Sequence, residues 1–278
     1  MKQLILLFII AIFATAGHAQ TAASPSKDPF SSKESVDASI RQAPCEGDKR
    51  RDGVVSLLTS LGVPHADIAI EKLDNEKIQN VVVRKNGTTN ETVVVGAHYD
   101  KVSSGCGVTD NWAGIVILAH LYKTLTKFDT KKSYIFVAFD KEEEGLRGSK
   151  AMVKAMTDAQ LKSTCAMINL DSFGQGGPMA LANASSSRML KLAETLGKES
   201  NFKFNSVTIE GASSDSASFI DKKVPAITLS GLNNEWTKIM HSSNDTVEKV
   251  KIDSIYFNYR FAGVFISKVD AAGCSDFR

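Results

Sequence analysis

The sequence of 278 residues carries 33 lysines and arginines against 31 aspartates and glutamates, which leaves a formal net charge of +2. A balance of this kind produces little overall field, so we expect neither a nucleic-acid partner nor an acidic polymer as substrate. Residues 40–278 suit one large α/β domain.

The N-terminal segment has the features of a secretory signal peptide. Lys2 gives it a positive start, residues 4–13 form an almost unbroken apolar run, and small alanines follow. A membrane anchor is the alternative, but the run is shorter than the roughly 20 residues that a spanning helix needs. We expect a signal peptide over residues 1–19, a flexible leader over residues 20–39, and a secreted or periplasmic protein with no membrane segment after cleavage.

Strand-like and helical patterns alternate along the rest of the chain. In chain order they predict a helix at 48–61, strands at 68–73, 78–84 and 92–98, a helix at 111–125, a strand at 133–140, a helix at 146–156, strands at 166–171 and 179–182, a helix at 185–200, a strand at 206–210, a helix at 216–221, a strand at 226–230, and a last helix from near Thr246 or Asp253 to about Val269. This alternation predicts a single α/β domain, with helices on both faces of a mostly parallel mixed sheet. The basic run Lys49-Arg50-Arg51 is expected on the solvated face of the first helix.

Acidic and histidine side chains lie at the ends of the predicted buried strands. They are His98, Asp100, Glu142, Glu143 and Asp171. In sheets of this kind, sites form beyond the carboxyl ends of the strands. We therefore expect a functional site at this edge of the sheet.

Each of these residues also has an ordinary structural explanation. A single strand-end histidine such as His98 is more often structural, and Asp110 at a helix start is a good N-cap. Acidic residues such as Glu142–Glu144 suit the first turn of a helix, but three adjacent carboxylates repel one another unless a positive charge is near. A metal pair supplies that charge. Two zinc ions that share one aspartate would each have a histidine, a terminal carboxylate and open positions for water.

The same residues form an ordered set of motifs. The motifs are His98-Tyr99-Asp100, Asp110-Asn111 with Gly114, Glu142-Glu143-x-Gly145-Leu146-x-Gly148-Ser149, Asn169-Leu170-Asp171, and His241 with Asp245-Thr246. The set resembles the co-catalytic di-zinc aminopeptidase family, which includes secreted bacterial leucine aminopeptidases and is related to glutamate carboxypeptidase and the glutaminyl cyclases. The resemblance implies a three-layer α/β/α fold of the zinc-exopeptidase type.

The resemblance also implies two zinc ions per chain and a set of five ligands. The ligands would be His98, Asp110, Glu143, Asp171 and His241. One zinc ion would be held by His98 and Asp171 and the other by Glu143 and His241, with Asp110 as the bridge.

Two further carboxylates receive catalytic roles from the same resemblance. Glu142 would be the general base, taking a proton as a metal-bound hydroxide attacks the peptide carbonyl, and Asp100 would orient His98. The expected activity is that of an aminopeptidase, which hydrolyses N-terminal bonds of peptides with a free N-terminus. The enzyme is expected to be a monomer.

The sequence departs from the family pattern at three positions. Met240 precedes His241, where some members carry a tyrosine that helps to polarise the substrate carbonyl. Ser216 stands where many members have histidine, and Lys101 stands where serine is frequent. The source of the carbonyl assistance is therefore left open.

Two other functions compete with the aminopeptidase. A glutaminyl cyclase-like acyltransferase on the same fold would use one zinc ion, and a binding module would retain the acidic cluster without catalysis. The intact His98 and the Glu-Glu-x-Gly-Leu-x-Gly-Ser motif favour the peptidase over the cyclase. All of the expected ligands and the base are filled, which argues against the binding module.

The four cysteines match no zinc-finger spacing, and an oxidising destination permits disulfides. Cys165 should lie roughly 20 Å from the site along its strand, whereas Cys106 should be close to it, so these two should not pair. Cys45 and Cys274 precede the first helix and follow the last. We expect them to form a bridge, with Cys165 as a buried free thiol and Cys106 as a free or reactive one.

Overall fold

The computed structural model describes residues 28–200 and 203–278. The strands are β1 (Ala69–Leu73), β2 (Ile78–Lys85), β3 (Thr92–His98), β4 (Ser133–Phe139), β5 (Thr164–Leu170), β6 (Met179–Leu181), β7 (Asn205–Val207) and β8 (Ala226–Ser230). The helices are α1 (Lys33–Ile40), α2 (Arg50–Ser60), α3 (Ala113–Leu125), α4 (Arg147–Ala155), α5 (Asp158–Ser163), α6 (Ser187–Glu199), α7 (Ser216–Ile220) and α8 (Ile252–Ala271).

The strands form one mixed sheet in the order β1-β2-β4-β3-β5-β8-β6-β7. The four central strands β4, β3, β5 and β8 are parallel, so their carboxyl ends meet at one edge. The β1–β2, β2–β4 and β6–β8 pairs are antiparallel. The predicted single α/β domain with a mixed sheet is thereby confirmed.

Two hydrophobic cores cover the two faces of the sheet. Alternate residues of β3 divide between them, with Val93 and Val95 in the larger core and Val94 in the smaller one. This follows from the period of two in a strand, and a strand buried on both faces reads as a continuous apolar run. The larger core includes side chains from α1, α2, α3, α6 and α8, and the smaller core includes side chains from α4 and α7.

The segment before α2 corrects the expectation of a flexible leader. Within residues 28–39, α1 packs into the larger core through Val36, and the ring of Phe30 lies edge-on against Tyr259 at 5.2 Å. His120 of α3 contacts two serines, with Nδ1 at 2.8 Å from Oγ of Ser31, which precedes α1, and Nε2 at 3.1 Å from Oγ of Ser39, which lies in its last turn. Residues 1–27, including the expected signal peptide, lie outside the described residues.

Two other helix predictions were wrong in part. Arg50, expected on a solvated face, is fully buried at the first turn of α2, although Lys49 is exposed. The helix predicted from Asn111 begins instead at Ala113, because Asp110 and Asn111 have non-helical backbone angles. Among the helices of residues 28–200 and 203–278, none is both long and apolar enough to cross a membrane.

The disulfide prediction was wrong. The bridges are Cys45–Cys106 and Cys165–Cys274, so Cys45 does not pair with Cys274, and neither Cys106 nor Cys165 is a free thiol. The reason is that the C-terminal tail folds back onto the start of β5, where Arg278 donates a hydrogen bond to the carbonyl of Thr164 (2.8 Å). The expectation that Cys106 and Cys165 do not pair holds.

The buried His120 should make the folded protein less stable as the pH decreases. Burial lowers its pKa to about 4, with a smaller contribution from Lys123, whereas the ordinary value is 6.5. As pH falls below 6.5 the unfolded chain therefore takes up a proton that the folded chain binds only near pH 4, and each pH unit in this window costs up to about 1.4 kcal/mol. The free energy of unfolding of the wild type, measured in urea, should decrease between pH 7 and pH 5. In His120→Gln this decrease should be smaller by about 1–2 kcal/mol.

His65 is exposed, and His65→Gln provides the matched control. This variant should retain the full wild-type decrease between pH 7 and pH 5. Equal pH dependence in the His120→Gln protein and the wild type would contradict the prediction.

Candidate metal centre

The candidate site lies at the carboxyl edge of the parallel strands. His98 is the last residue of β3, and Asp171 directly follows β5, with its backbone N–H donating to the carbonyl of Leu229 at 3.0 Å. Glu142 and Glu143 lie in the loop after β4. Parallel strand direction thus brings together residues that are far apart in the sequence.

Three side chains form a first triad of possible ligands. His98 Nε2 lies 3.1 Å from Asp110 Oδ1 and 3.7 Å from Asp171 Oδ1. All three residues are buried, and one ligand atom from each lies within 4.8 Å of the others. This is the spacing that a single bound cation needs.

A second triad uses the other oxygen of the same aspartate. His241 Nε2 lies 3.0 Å from Asp110 Oδ2 and 3.4 Å from Glu143 Oε2. The His241 side chain is 56% exposed, so this triad faces the solvent. His98, Glu142 and Glu143 form a third group that overlaps both triads. All five predicted ligands and the predicted base are therefore brought together around Asp110.

The loop that carries Asp110 is held by Asp245. Its carboxylate accepts three backbone hydrogen bonds, from Val108 (2.9 Å) and Thr109 (2.7 Å) at Oδ1 and from Asp110 (3.1 Å) at Oδ2. Asp245 was part of a sequence motif but received no role, since a sequence does not show which donors a carboxylate reaches. It ties the loop of Asp110 to the segment that follows His241.

Asn111 fixes the other side of this loop. Its Nδ2 donates to the carbonyl of Leu170 (2.8 Å), and its Oδ1 accepts from the backbone of Gly114 (3.1 Å) and Ser172 (3.2 Å). A Cβ on Gly114 would come within 2.3 Å of Asn111 Oδ1, so the close approach requires glycine there. The peptide bond between Asp110 and Asn111 is cis.

Further side chains contact the ligand residues directly. Asp100 accepts backbone hydrogen bonds from Glu142 and Glu143, both at 3.0 Å, and its Oδ1 lies 3.3 Å from His98 Nδ1, at ion-pair distance but without hydrogen-bond geometry. Ser214 donates to Asp171 Oδ2 at 2.5 Å. Asp100 thus links the segment of His98 to the loop of the two glutamates.

The charges of the cluster favour a bound cation. Burial raises the pKa of Glu142 to about 10 and that of Glu143 to about 7, and the carboxylate of Asp110 adds to both increases. A hydrogen bond to Asp110 raises the pKa of His241 to about 9. An excess of acidic groups around Asp110 contributes to all three shifts. A bound metal ion removes this excess.

The donor set also fits zinc. Each triad offers one imidazole nitrogen and two carboxylate groups, one of them shared, which is a ligand composition that catalytic zinc sites use. Glu143 Oε1 is buried and has no hydrogen-bond partner among the residues that the structure describes. A buried oxygen without a partner is costly, and a metal ligand would satisfy it.

Comparison with known proteins assigns the family. Residues 80–262 match the model of peptidase family M28. The chain belongs to peptidase family M28.

The chain also resembles individual proteins in sequence or in fold. The chain is 27% identical over 252 residues to leucine aminopeptidase 2 of Arthroderma otae, a match that covers 79% of this chain and 51% of the relative, so the chain spans about half of that protein's length. The zinc aminopeptidase BSAP of Bacillus subtilis has a similar fold (TM-score 0.63, 22% identity, 72% of this chain and 52% of that one). A glutaminyl cyclase of an Acidobacteriales bacterium also has a similar fold, with a TM-score of 0.73 and 17% identity. That match covers 93% of this chain and 100% of the cyclase.

The departures from the M28 pattern have different structural outcomes. Ser216 begins α7 and donates to the carbonyl of Ala184 (2.8 Å). Lys101 donates to the carbonyl of its neighbour Val102 (2.6 Å). Asp215, the residue before Ser216, is fully buried, and burial raises its pKa to about 7. Neither of its oxygens has a hydrogen-bond partner in the described parts of the chain.

Asp245→Asn should destabilise the fold by about 1–3 kcal/mol, as measured by urea unfolding. An asparagine has one acceptor oxygen, whereas the structure uses both carboxylate oxygens, so at least one buried backbone N–H would face an amide group. Asp253→Asn is the control, because Asp253 pairs with Lys33 (2.8 Å) with 83% of its side chain exposed. This control should have a much smaller effect than Asp245→Asn, because solvent screens an exposed ion pair. Equal losses in the two variants would show that Asp245 does not hold the loop.

Proposed function

We propose that the chain is an aminopeptidase that holds two zinc ions and hydrolyses the N-terminal bond of peptides. The observation that carries the proposal is the pair of triads that share Asp110, one oxygen to each histidine. Membership of family M28 supports a peptidase, and the ordered motifs support exopeptidase action.

Each zinc ion would have its own histidine and terminal carboxylate. We assign His98 and Asp171 to the buried position, and His241 and Glu143 to the position that faces the solvent, with Asp110 as the bridge. When bound, zinc ions lower the pKa of coordinated water and stabilise negative charge on the substrate oxygen. Met240 offers no hydrogen-bond donor for that oxygen, so the family's tyrosine has no equivalent at this position.

Glu142 is proposed as the general base. Its carboxyl group belongs to the group with His98 and Glu143, and its backbone N–H is held by Asp100, which fixes the start of the loop. The carboxylate would accept a proton from the attacking water and donate it to the departing amine. Asp100 would keep the His98 ring in one orientation from the opposite side, at Nδ1.

The surroundings of His241 support an apolar first side chain in the substrate. Met240 packs against a small apolar cluster, together with Ile209 and Trp236. The buried members of this cluster are Met179, Leu181, Ala184 and Leu232. The carboxylates beside it would favour a positively charged α-amine, so a free N-terminus is part of the proposal.

The protein is proposed to act outside the cytoplasm as a monomer. Two disulfide bonds are typical of oxidising compartments, and the N-terminal sequence has the composition of a signal peptide. A secreted or periplasmic location is consistent with both features.

A glutaminyl cyclase is the second candidate, because the fold of a solved cyclase matches 93% of this chain and 100% of the cyclase. The cyclase predicts one zinc ion and release of pyroglutamate from an N-terminal glutamine. Two complete triads favour the peptidase, since the cyclase needs only one. The third candidate, a binding module, would need a lost ligand or base, and none of the expected residues is missing.

Purified mature protein should release the first residue from a peptide with N-terminal leucine and leave the N-acetylated form of the same peptide intact. A matching peptide with N-terminal glutamine should yield free glutamine rather than pyroglutamate. Dialysis against a chelator should abolish the release, and zinc or cobalt should restore it. Full activity after complete metal removal, cleavage inside blocked peptides, or pyroglutamate as the main product would each contradict the proposal.

The three adjacent glutamates allow a matched test of the base. Glu142→Gln should keep two zinc ions by elemental analysis but lose roughly 10²–10⁴ in kcat, the usual contribution of general acid–base catalysis. Glu143→Gln should lose zinc, because it removes a ligand charge. Glu144 is exposed and pairs with Arg147 (2.6 Å), so Glu144→Gln should behave as the wild type. Exchanged behaviour of the first two variants would shift the assignment by one residue.

A further inference from the structure

Arg50 is a buried cation that the proposed reaction does not use. The residue has no exposed surface, and burial lowers its pKa to about 10 against the opposing influence of nearby carboxylates such as Asp100 and Asp110. The guanidinium therefore remains charged at neutral pH. Its carbon atom also lies 5.5 Å from the centre of the Trp112 ring. A fully buried arginine is rare without a specific partner.

The partners of Arg50 are backbone carbonyls of the segments that carry metal ligands. Nε donates to the carbonyl of Tyr99, which lies between His98 and Asp100. Nη1 donates to the carbonyl of Cys106 (3.0 Å) and Nη2 to that of Gly107 (3.1 Å), both in the loop that leads to Asp110. One planar group thus holds two ligand-bearing segments at a fixed separation.

A fourth hydrogen bond extends the arrangement to the N-terminal segment. Nη1 of Arg50 donates to the carbonyl of Pro44 (3.1 Å), and the next residue, Cys45, is bonded to Cys106. The disulfide and the guanidinium therefore both fasten the loop that leads to Asp110. Asp245 fastens the same loop further along, through the backbone N–H groups of residues 108–110.

The charge of Arg50 and its geometry have opposite effects on a metal ion. A positive charge beside the cluster repels zinc, so its removal alone would tighten zinc binding. The hydrogen bonds hold the ligand segments in position before zinc arrives, so their removal would weaken it. The four acceptors are neutral carbonyls rather than carboxylates, and this favours the geometric effect.

We propose that Arg50 is a positioning residue that aligns the segments of His98 and Asp110 and thereby raises the affinity for zinc. The inference rests on the proposed two-zinc site. Arg50 contacts neither the proposed ligand atoms nor a substrate, so its effect should be on metal affinity and not on the KM of the zinc-saturated enzyme.

The test compares Arg50→Met, Arg50→Lys and the control Arg51→Met. Arg51 is the neighbouring residue, whose guanidinium contacts Asp52 (2.7 Å) and Gln79 (2.5 Å). Each chelator-treated protein is titrated with zinc in competition with a chromophoric chelator. Thermal unfolding is recorded with and without zinc, and non-reducing peptide mapping checks the Cys45–Cys106 bond.

We expect Arg50→Met to raise the zinc Kd at least tenfold, which is about 1.4 kcal/mol. Arg50→Lys keeps the charge and some donors but loses the planar fork, so its Kd should rise less. Arg51→Met should match the wild type. The increase in Tm on zinc addition should be smaller in Arg50→Met than in the wild type. If Arg50 only stabilised the fold, the substitution would lower Tm equally with and without zinc.

Wild-type or tighter zinc binding by Arg50→Met would overturn the inference and leave a role for the charge alone. If Arg50→Met does not fold, Arg50→Lys decides, and an unchanged Kd in that variant would overturn the inference. Failure of the wild type to bind two zinc ions would overturn the proposed function and this inference with it. A wild-type Kd in the variants, beside normal binding by the wild type, would overturn this inference alone.

Discussion

The shared carboxylate of Asp110 is the contact on which the site depends. One of its oxygens lies 3.1 Å from His98 and the other 3.0 Å from His241, so a single buried side chain joins the strand edge to a distant loop. Three carboxylates and two imidazoles are thereby held together at a cost in desolvation. The backbone N–H of Asp110 donates to Asp245, and the side chain of Asn111 donates to the carbonyl of Leu170. These hydrogen bonds hold Asp110 in position and offset part of that cost.

The fold and the proximity of the candidate ligands could be predicted from the sequence where local pattern and sheet direction agree. The bounds of β3 and β8 match the predicted ranges, since a strand buried on both faces is a continuous apolar run between polar residues. His98 and Asp171 end parallel strands, so their proximity follows from strand direction alone. His241 lies in a loop, and only the ordered motifs connected it with the others.

The predictions that were wrong share a different cause, which is contact between segments remote in sequence. Residues 28–39 have the composition of a linker, yet their position is fixed by partners on α3 and α8, including His120 and Tyr259. Arg50 stands in a basic run that is typical of a surface. Its four acceptors are main-chain oxygens, which no sequence motif records, so its burial could not be predicted. The disulfides join residues 61 and 109 positions apart, and the path of the intervening chain decided them.

The two histidines differ sharply in exposure, and the difference bears on exchange of the bound ions. His98 is 1% exposed and His241 is 56% exposed, while the shared Asp110 is 6% exposed. An ion held by His241 and Glu143 would lie next to solvent, whereas an ion held by His98 and Asp171 would lie among buried side chains. The two proposed ions should therefore differ in residence time, with the outer one lost first on dilution and the inner one retained.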